Sequence, residues 1–257
     1  MRLGQIKWNG GATAAIFNHT SARPIPDYSL YELIARAEKQ GASLPELAEE
    51  LSIPKPVPAE PLIPLQPREV WASYGGHTEN DRPGIFLKGT ARVCVGPGQA
   101  IGIRPDSSWT AAEPELALVL GAKGRVIGYT LANDVSARDI ERENPDYLAQ
   151  SKTFHGCCAL GPIMVTVDEI PDPLTLMVSC TITRNGETIF HGAVSTERLG
   201  VERTVEFLMR ANPVPAGSVL LTGTGFSLDQ VALKAGDSVS ISVDQIGELR
   251  NPAAVLE

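Results

Sequence analysis

The chain is expected to be an α+β protein, a coiled and partly closed mixed sheet preceded by a small N-terminal α/β domain. Three observations point there. Short β-rich runs separated by turn residues recur over most of the chain, and few segments carry a long helical period. Two compact helical patterns sit together near the start. Between them and the β-rich part, prolines fall at 54, 56, 58, 61, 64 and 67, where fixed φ and missing backbone donors favour an extended connector. The boundary is placed near residue 66, with a leading domain and its linker over 1–66 and the chemical domain over 67–257.

In order along the chain, residues 3–18 read as a hairpin turning at Asn9-Gly10-Gly11. A helix is expected after Pro26-Asp27, with Leu30, Leu33, Ile34 and Ala37 as its apolar stripe and Gly41 as its stop. Ser43-Leu44-Pro45-Glu46 is a capping box with proline in the first turn, so a second helix runs to about Leu51. Beyond the linker, strands are expected at Val70–Ser73, Ile85–Lys88, Leu116–Leu120, Val126–Leu131, Met164–Val167, Leu174–Thr183, Val219–Thr222 and Ser238–Val243. Asn185-Gly186 is a two-residue hairpin signal. A helix from about Ser195 to Met209 offers Leu199, Val201, Val205, Leu208 and Met209 to the core.

A net charge of −8 argues against nucleic acid and anionic membrane partners, which need basic surfaces. No apolar run approaches the ~20 residues that span a bilayer, and the first residues lack the apolar core of a signal peptide. Cys94, Cys157, Cys158 and Cys180 form no Cys-x-x-Cys pair and read as reduced, mostly buried thiols of a cytoplasmic protein.

Chemistry concentrates in three acidic residues. Glu113 and Glu115, at i and i+2, share one face of a strand and precede the apolar run Leu116–Leu120. Two such carboxylates at the mouth of a core must share a proton or hold a cation. Asp134 closes the next strand and adds a third carboxylate, which suits a hard divalent ion such as Mg²⁺. After it, the polar segment Glu141–Lys152, broken by Pro145, is irregular enough for a lid or binding loop. In Leu221-Thr-Gly-Thr-Gly225, the backbone amides and the Thr224 hydroxyl could cradle a carboxylate.

Glu113-Pro-Glu115-Leu-Ala, Gly128-Tyr-Thr-Leu-Ala-Asn-Asp-Val-Ser-Ala-Arg-Asp139, Lys152, Leu160-Gly161-Pro162 and Leu220-Leu-Thr-Gly-Thr224 together resemble the fumarylacetoacetate hydrolase superfamily over about residues 68–252. The resemblance implies that family's mixed β-roll, as a homodimer or higher homo-oligomer. It implies Mg²⁺, with Mn²⁺ as the alternative, on Glu113, Glu115 and Asp134. It puts Lys152, Gly223, Thr224 and Arg138 at a small 2-oxo acid, with Arg138 and Asp139 supporting the Asp134 turn. Within the superfamily, Ser107–Glu115 and Glu143–Lys152 look most like the 2-keto-3-deoxy-pentonate (arabinonate or xylonate) dehydratases, whose product is 2,5-dioxopentanoate. Gly84 stands where those dehydratases tend to carry a glutamate, and the preceding loop offers His77 and Glu79 instead.

A 2-oxo acid can grip a divalent ion through its carboxylate and C2 oxygens, which acidifies C3. Lys152, its pKa lowered beside a cation, is the expected base. The alternative reading is a C–C hydrolase or decarboxylase of acylpyruvate-like 2,4-dioxo acids, in which His77, oriented by Glu79, activates water.

Overall fold

A computed structural model of the chain describes residues 1–74, 82–228 and 231–257. The leading hairpin forms from β1 (Arg2–Trp8) and β2 (Gly11–Asn18), followed by β3 (Ser21–Ile25). Its turn is Asn9-Gly10, both at positive φ, while Gly11 already pairs with Trp8. Helix α1 (Leu30–Gln40) buries the four expected stripe residues and ends at Gly41 in the left-handed region. Ser29 caps it in a reciprocal box with Glu32. Helix α2 (Leu44–Leu51) starts where Ser43 accepts from the Glu46 amide. In the proline-rich connector, β4 (Val57–Pro58) is a two-residue pairing with β3.

The remaining elements are β5 (Val70–Tyr74), β6 (Gly84–Gly89), β7 (Cys94–Val95), β8 (Ile101–Ile103), β9 (Thr110–Ala111), β10 (Pro114–Leu120), β11 (Val126–Asp134) and β12 (Ser136–Ala137). Then come α3 (Arg138–Glu143), α4 (Leu148–Lys152), β13 (Cys158–Thr166), β14 (Met177–Arg184), β15 (Glu187–Ser195), α5 (Val201–Met209), β16 (Ser218–Leu221), β17 (Ser238–Val243) and β18 (Gly247–Val255). Among the described residues, one mixed sheet runs β4-β3-β2-β1-β13-β11-β10-β16-β5-β6, with β7 also on β13, and a second runs β15-β14-β17-β18-β8. The α+β class with mixed sheets is the one expected.

Every residue of β10 and of β13 is buried, as strands covered on both faces must be. Their leucines, Leu116, Leu118, Leu120 and Leu160, each contribute roughly 1.5–3 kcal/mol by leaving water. Pro114 opens β10, a position where the missing amide costs no ladder bond.

Several expectations change in extent. The helix foreseen from Ser195 begins only at Val201, because Ser195 is still paired with Met177 in the β14–β15 ladder. Strand β14 starts at Met177 because Pro173–Thr175 form a single 3₁₀ turn. The segment 141–152 is largely helical: α3 and α4 flank a short 3₁₀ turn at Pro145–Tyr147. Strand β18 had no counterpart in the sequence reading. All four cysteines are free, three of them buried and Cys94 half-buried. No described helix is long and apolar enough to cross a membrane.

Candidate metal centre and active site

The pairing pattern gathers the site at one end of the large sheet. Strands β10 and β11 are antiparallel, with Pro114 opposite Asn133, and the Asp134 amide donates to Glu113 O at 2.9 Å. The Glu113 amide donates to Asn133 Oδ1 at 2.9 Å, which fixes the first residue of the triad against the strand bearing the third. Strand β16 runs beside β10, so the turn that follows it reaches Glu115: the Gly223 amide donates to Glu115 Oε2 at 2.6 Å. Gly223 is at positive φ, and a Cβ there would lie 3.0 Å from Ser73 O, so this approach needs glycine.

One oxygen from each of Glu113, Glu115 and Asp134 lies within 4.8 Å of the others, and all three residues are buried. They border a cavity of about 270 Å³, together with Lys152, Arg138 and Gly223. Two ammonium groups press on the triad from inside the fold. Lys152 Nζ is 2.9 Å from Glu113 Oε2 and 3.5 Å from Asp134 Oδ2, and donates to Ser136 Oγ at 2.6 Å. Lys88, 0% exposed on β6, stands 2.5 Å from Asp134 Oδ1 and donates to Val135 O at 2.9 Å. Arg138 Nε lies 3.0 Å from Glu113 Oε1, and the same guanidinium reaches Glu141 at 3.3 Å. The contacts of Glu113 Oε1 with Arg138 and of Asp134 Oδ1 with Lys88 are ion pairs rather than aligned hydrogen bonds.

The electrostatics divide the triad. Burial, then repulsion from Asp134 and Glu113, pushes Glu115 well above the usual carboxylate range. Burial also raises Glu113, with Lys152 opposing it. Burial works against the Asp134 carboxylate too, but Lys152 and Lys88 outweigh it and hold its pKa down. For Lys152, burial disfavours the ammonium, yet Asp134 and Glu113 hold it above the ordinary lysine value. The triad carboxylates thus hold Lys152 as an ammonium.

Three buried carboxylates that offer only oxygens, one from each within 4.8 Å of the others, fit a hard divalent ion: Glu113, Glu115 and Asp134 would hold it. Gly223 and Thr224 line the cavity but are internally engaged, because the Thr224 hydroxyl donates to Pro114 O at 3.0 Å. Asp139 lies away from the triad and accepts from Ser107 and Ser108, which ties α3 to the segment before β9. His77 and Glu79 lie outside the described residues. The contacts of Lys88 escaped the sequence reading, and Asn133 and Ser136 entered it only as neighbours of Asp134 in the motif. Within its strand, Lys88 carries no mark that separates it from a solvent-facing lysine.

The profile described as "Fumarylacetoacetate (FAA) hydrolase C-terminal" matches residues 69–254. The chain is 48% identical to the 2-dehydro-3-deoxy-D-arabinonate dehydratase of Saccharolobus solfataricus over 66% of this chain. The alignment spans 58% of that relative's length, less than two thirds. It is 39% identical to the "Probable 2-keto-3-deoxyxylonate dehydratase" of Haloferax volcanii, over 74% of this chain and 73% of the relative. A solved 2-keto-3-deoxy-D-arabinonate dehydratase complexed with magnesium and 2,5-dioxopentanoate superposes with a TM-score of 0.83 at 34% identity, covering 100% of both chains. With its profile match running through the triad strands, the cavity and the second sheet, the chain belongs to the fumarylacetoacetate hydrolase family.

Proposed function

We propose that the chain is a Mg²⁺-dependent hydro-lyase that converts a 2-keto-3-deoxy-pentonate, the arabinonate or xylonate, to 2,5-dioxopentanoate and water. The observation that carries this reading is the buried triad with Lys152 Nζ 2.9 Å from Glu113, in a cavity of about 270 Å³. That volume lies just under the usual ~300–1,000 Å³ of small-molecule sites, which favours a short acid. The dehydratase relatives and the solved dehydratase with magnesium and product support the same assignment.

When bound, Mg²⁺ supplies positive charge that offsets the repulsion of the triad and polarises the C2 carbonyl of the acid. The rest falls to the chain. With Glu113 and Asp134 engaged by the ion, the attraction that holds Lys152 charged would fall, so that Nζ would first release its own proton to solvent and then, as a neutral amine, take one from C3. Ser136 Oγ, 2.6 Å from Nζ, keeps the amine aimed during the transfer. The same proton, returned to the C4 hydroxyl, lets it leave as water. The unsaturated acid then tautomerises to the aldehyde: C5 and its hydroxyl each give up one hydrogen, and C3 and C4 each gain one. Arg138, Gly223 and Thr224 border the acid, the last two by exchanging their internal hydrogen bonds for it. Phe86 and Phe226 cover the cavity with apolar surface and limit water. Two further features complete the proposal: a homodimer or higher homo-oligomer, and a cytoplasmic setting, in keeping with four unpaired thiols.

The test is turnover by the purified protein with Mg²⁺ of 2-keto-3-deoxy-arabinonate, 2-keto-3-deoxy-xylonate and acetylpyruvate. A semialdehyde from either pentonate is expected. Pyruvate and acetate from acetylpyruvate, with both pentonates untouched, would replace the lyase by a hydrolase.

A further inference from the structure

We propose that Tyr74 sets the length of the acid this site accepts, by closing the end of the cavity remote from the carboxylates. The inference rests on the reading that a 2-oxo acid is held by its carboxylate and C2 oxygens at the triad.

Tyr74 ends β5 and Gly84 opens β6, and the two are partners across the antiparallel ladder. The tyrosine ring lies flat on its partner: a Cβ on Gly84 would fall 2.3 Å from the ring's Cζ, closer than any real contact. The missing side chain at 84 is therefore the seat of the ring. Phe86, two residues on and so on the same face of β6, meets the ring with centroids 6.2 Å apart and planes at 45°. Phe86 in turn lies 5.7 Å from Lys152 Nζ, which is 2.9 Å from Glu113 Oε2. Contacts thus run from the triad through Lys152 and Phe86 to the Tyr74 ring.

Tyr74 is 59% exposed, so core packing does not explain the placement of the ring. It lines the cavity all the same. An acid anchored at the triad turns its far carbons toward Phe86 and then Tyr74, and each added methylene has to displace the ring or stop short of it. One methylene too many in a closed apolar site typically changes discrimination by roughly 10–200-fold.

The probes are straight-chain 2-oxopentanoate, 2-oxohexanoate and 2-oxoheptanoate, which have no hydroxyl to lose. Their affinities for the Mg²⁺-loaded protein are measured by calorimetry alongside pentonate turnover. The wild type should bind 2-oxoheptanoate at least about 10-fold more weakly than 2-oxopentanoate. Tyr74→Ala should reduce that gap to about threefold or less, and Tyr74→Phe should keep it. Gly84→Ala drives its Cβ into the ring and should reduce the gap too, with Tyr74→Ala/Gly84→Ala no different from Tyr74→Ala alone. A gap that Tyr74→Ala leaves intact overturns the role of Tyr74 while leaving the lyase reading in place. Failure of the wild type to bind any of the three acids overturns the reading of the site itself, and this proposal with it.

Discussion

Glu115 is 2% exposed and repelled by two other carboxylates, and among the described residues the Gly223 amide relieves it directly and Lys152 at longer range. Such a side chain costs stability unless a cation joins it. Glu115→Gln keeps an acceptor for Gly223 and is neutral without taking up a proton. Its metal-free form should melt about 2–4 °C higher, the equivalent of about 1 kcal/mol in a chain of this size. Its Mg²⁺ affinity should fall more than about 100-fold, beyond the usual cost of losing only an outer partner of a ligand. Differential scanning calorimetry and Mg²⁺ titration read both, and unchanged affinity would remove Glu115 from the metal set.

The same residue sets a pH dependence. Its folded pKa lies above the ordinary value of 4.5, so the folded protein keeps a proton that the unfolded chain has lost. That contribution to stability is full below 4.5 and is lost as pH rises through the raised value; Glu113 acts in the same sense. Asp134 acts in the opposite sense, its contribution being present above 3.8 and lost as pH falls through its lowered value. Mg²⁺ needs the ionised glutamates, so binding above pH 4.5 should release protons and tighten as pH rises. Calorimetry in two buffers of different ionisation enthalpy gives the proton count; none released would contradict the assignment.

At the scale of elements, β6 does unexpected work. Its Lys88 passes beneath the Asp134 turn and pairs with that carboxylate at 2.5 Å, with no exposure to solvent. Removing one member of a buried pair strands the other, at about 3–5 kcal/mol. Lys88→Met should lose that much in urea unfolding, and Lys88→Met/Asp134→Asn should regain most of it. If the single variant is as stable as the wild type, the pair does not hold β6 to the site.

How far these elements could be read depended on how local their causes are. Glu113 and Glu115 were legible because strand period and the apolar run after them lie within eight residues. The cap and stripe of α1 were local too. Lys88 was not legible: within its strand it looks like any solvent-facing lysine, and its burial comes from a partner 46 residues away. The start of α5 was misread because the β14–β15 ladder, a tertiary pairing, retains Ser195. Strand β18 hid behind Asn251 and Pro252, residues that break strands locally but here face β17 in register.

For the molecule as a whole, the sheet brings together ends of strands far apart in the chain. β11 and β16 end, and β10 begins, around one cavity, and residues 113 to 224 meet there. The leading hairpin joins the same sheet through β1 on β13, so its strands brace the layer that carries the triad. The account stands on that convergence producing one binding place for a hard divalent ion. The most direct measurement is the anomalous difference map of a crystal soaked in Mn²⁺. A single strong peak at about 2.0–2.3 Å from oxygens of Glu113, Glu115 and Asp134 is expected, close to ordinary divalent metal–carboxylate distances. A map with no peak at the triad under saturating Mn²⁺, or with its strongest peak on other residues, would contradict the account.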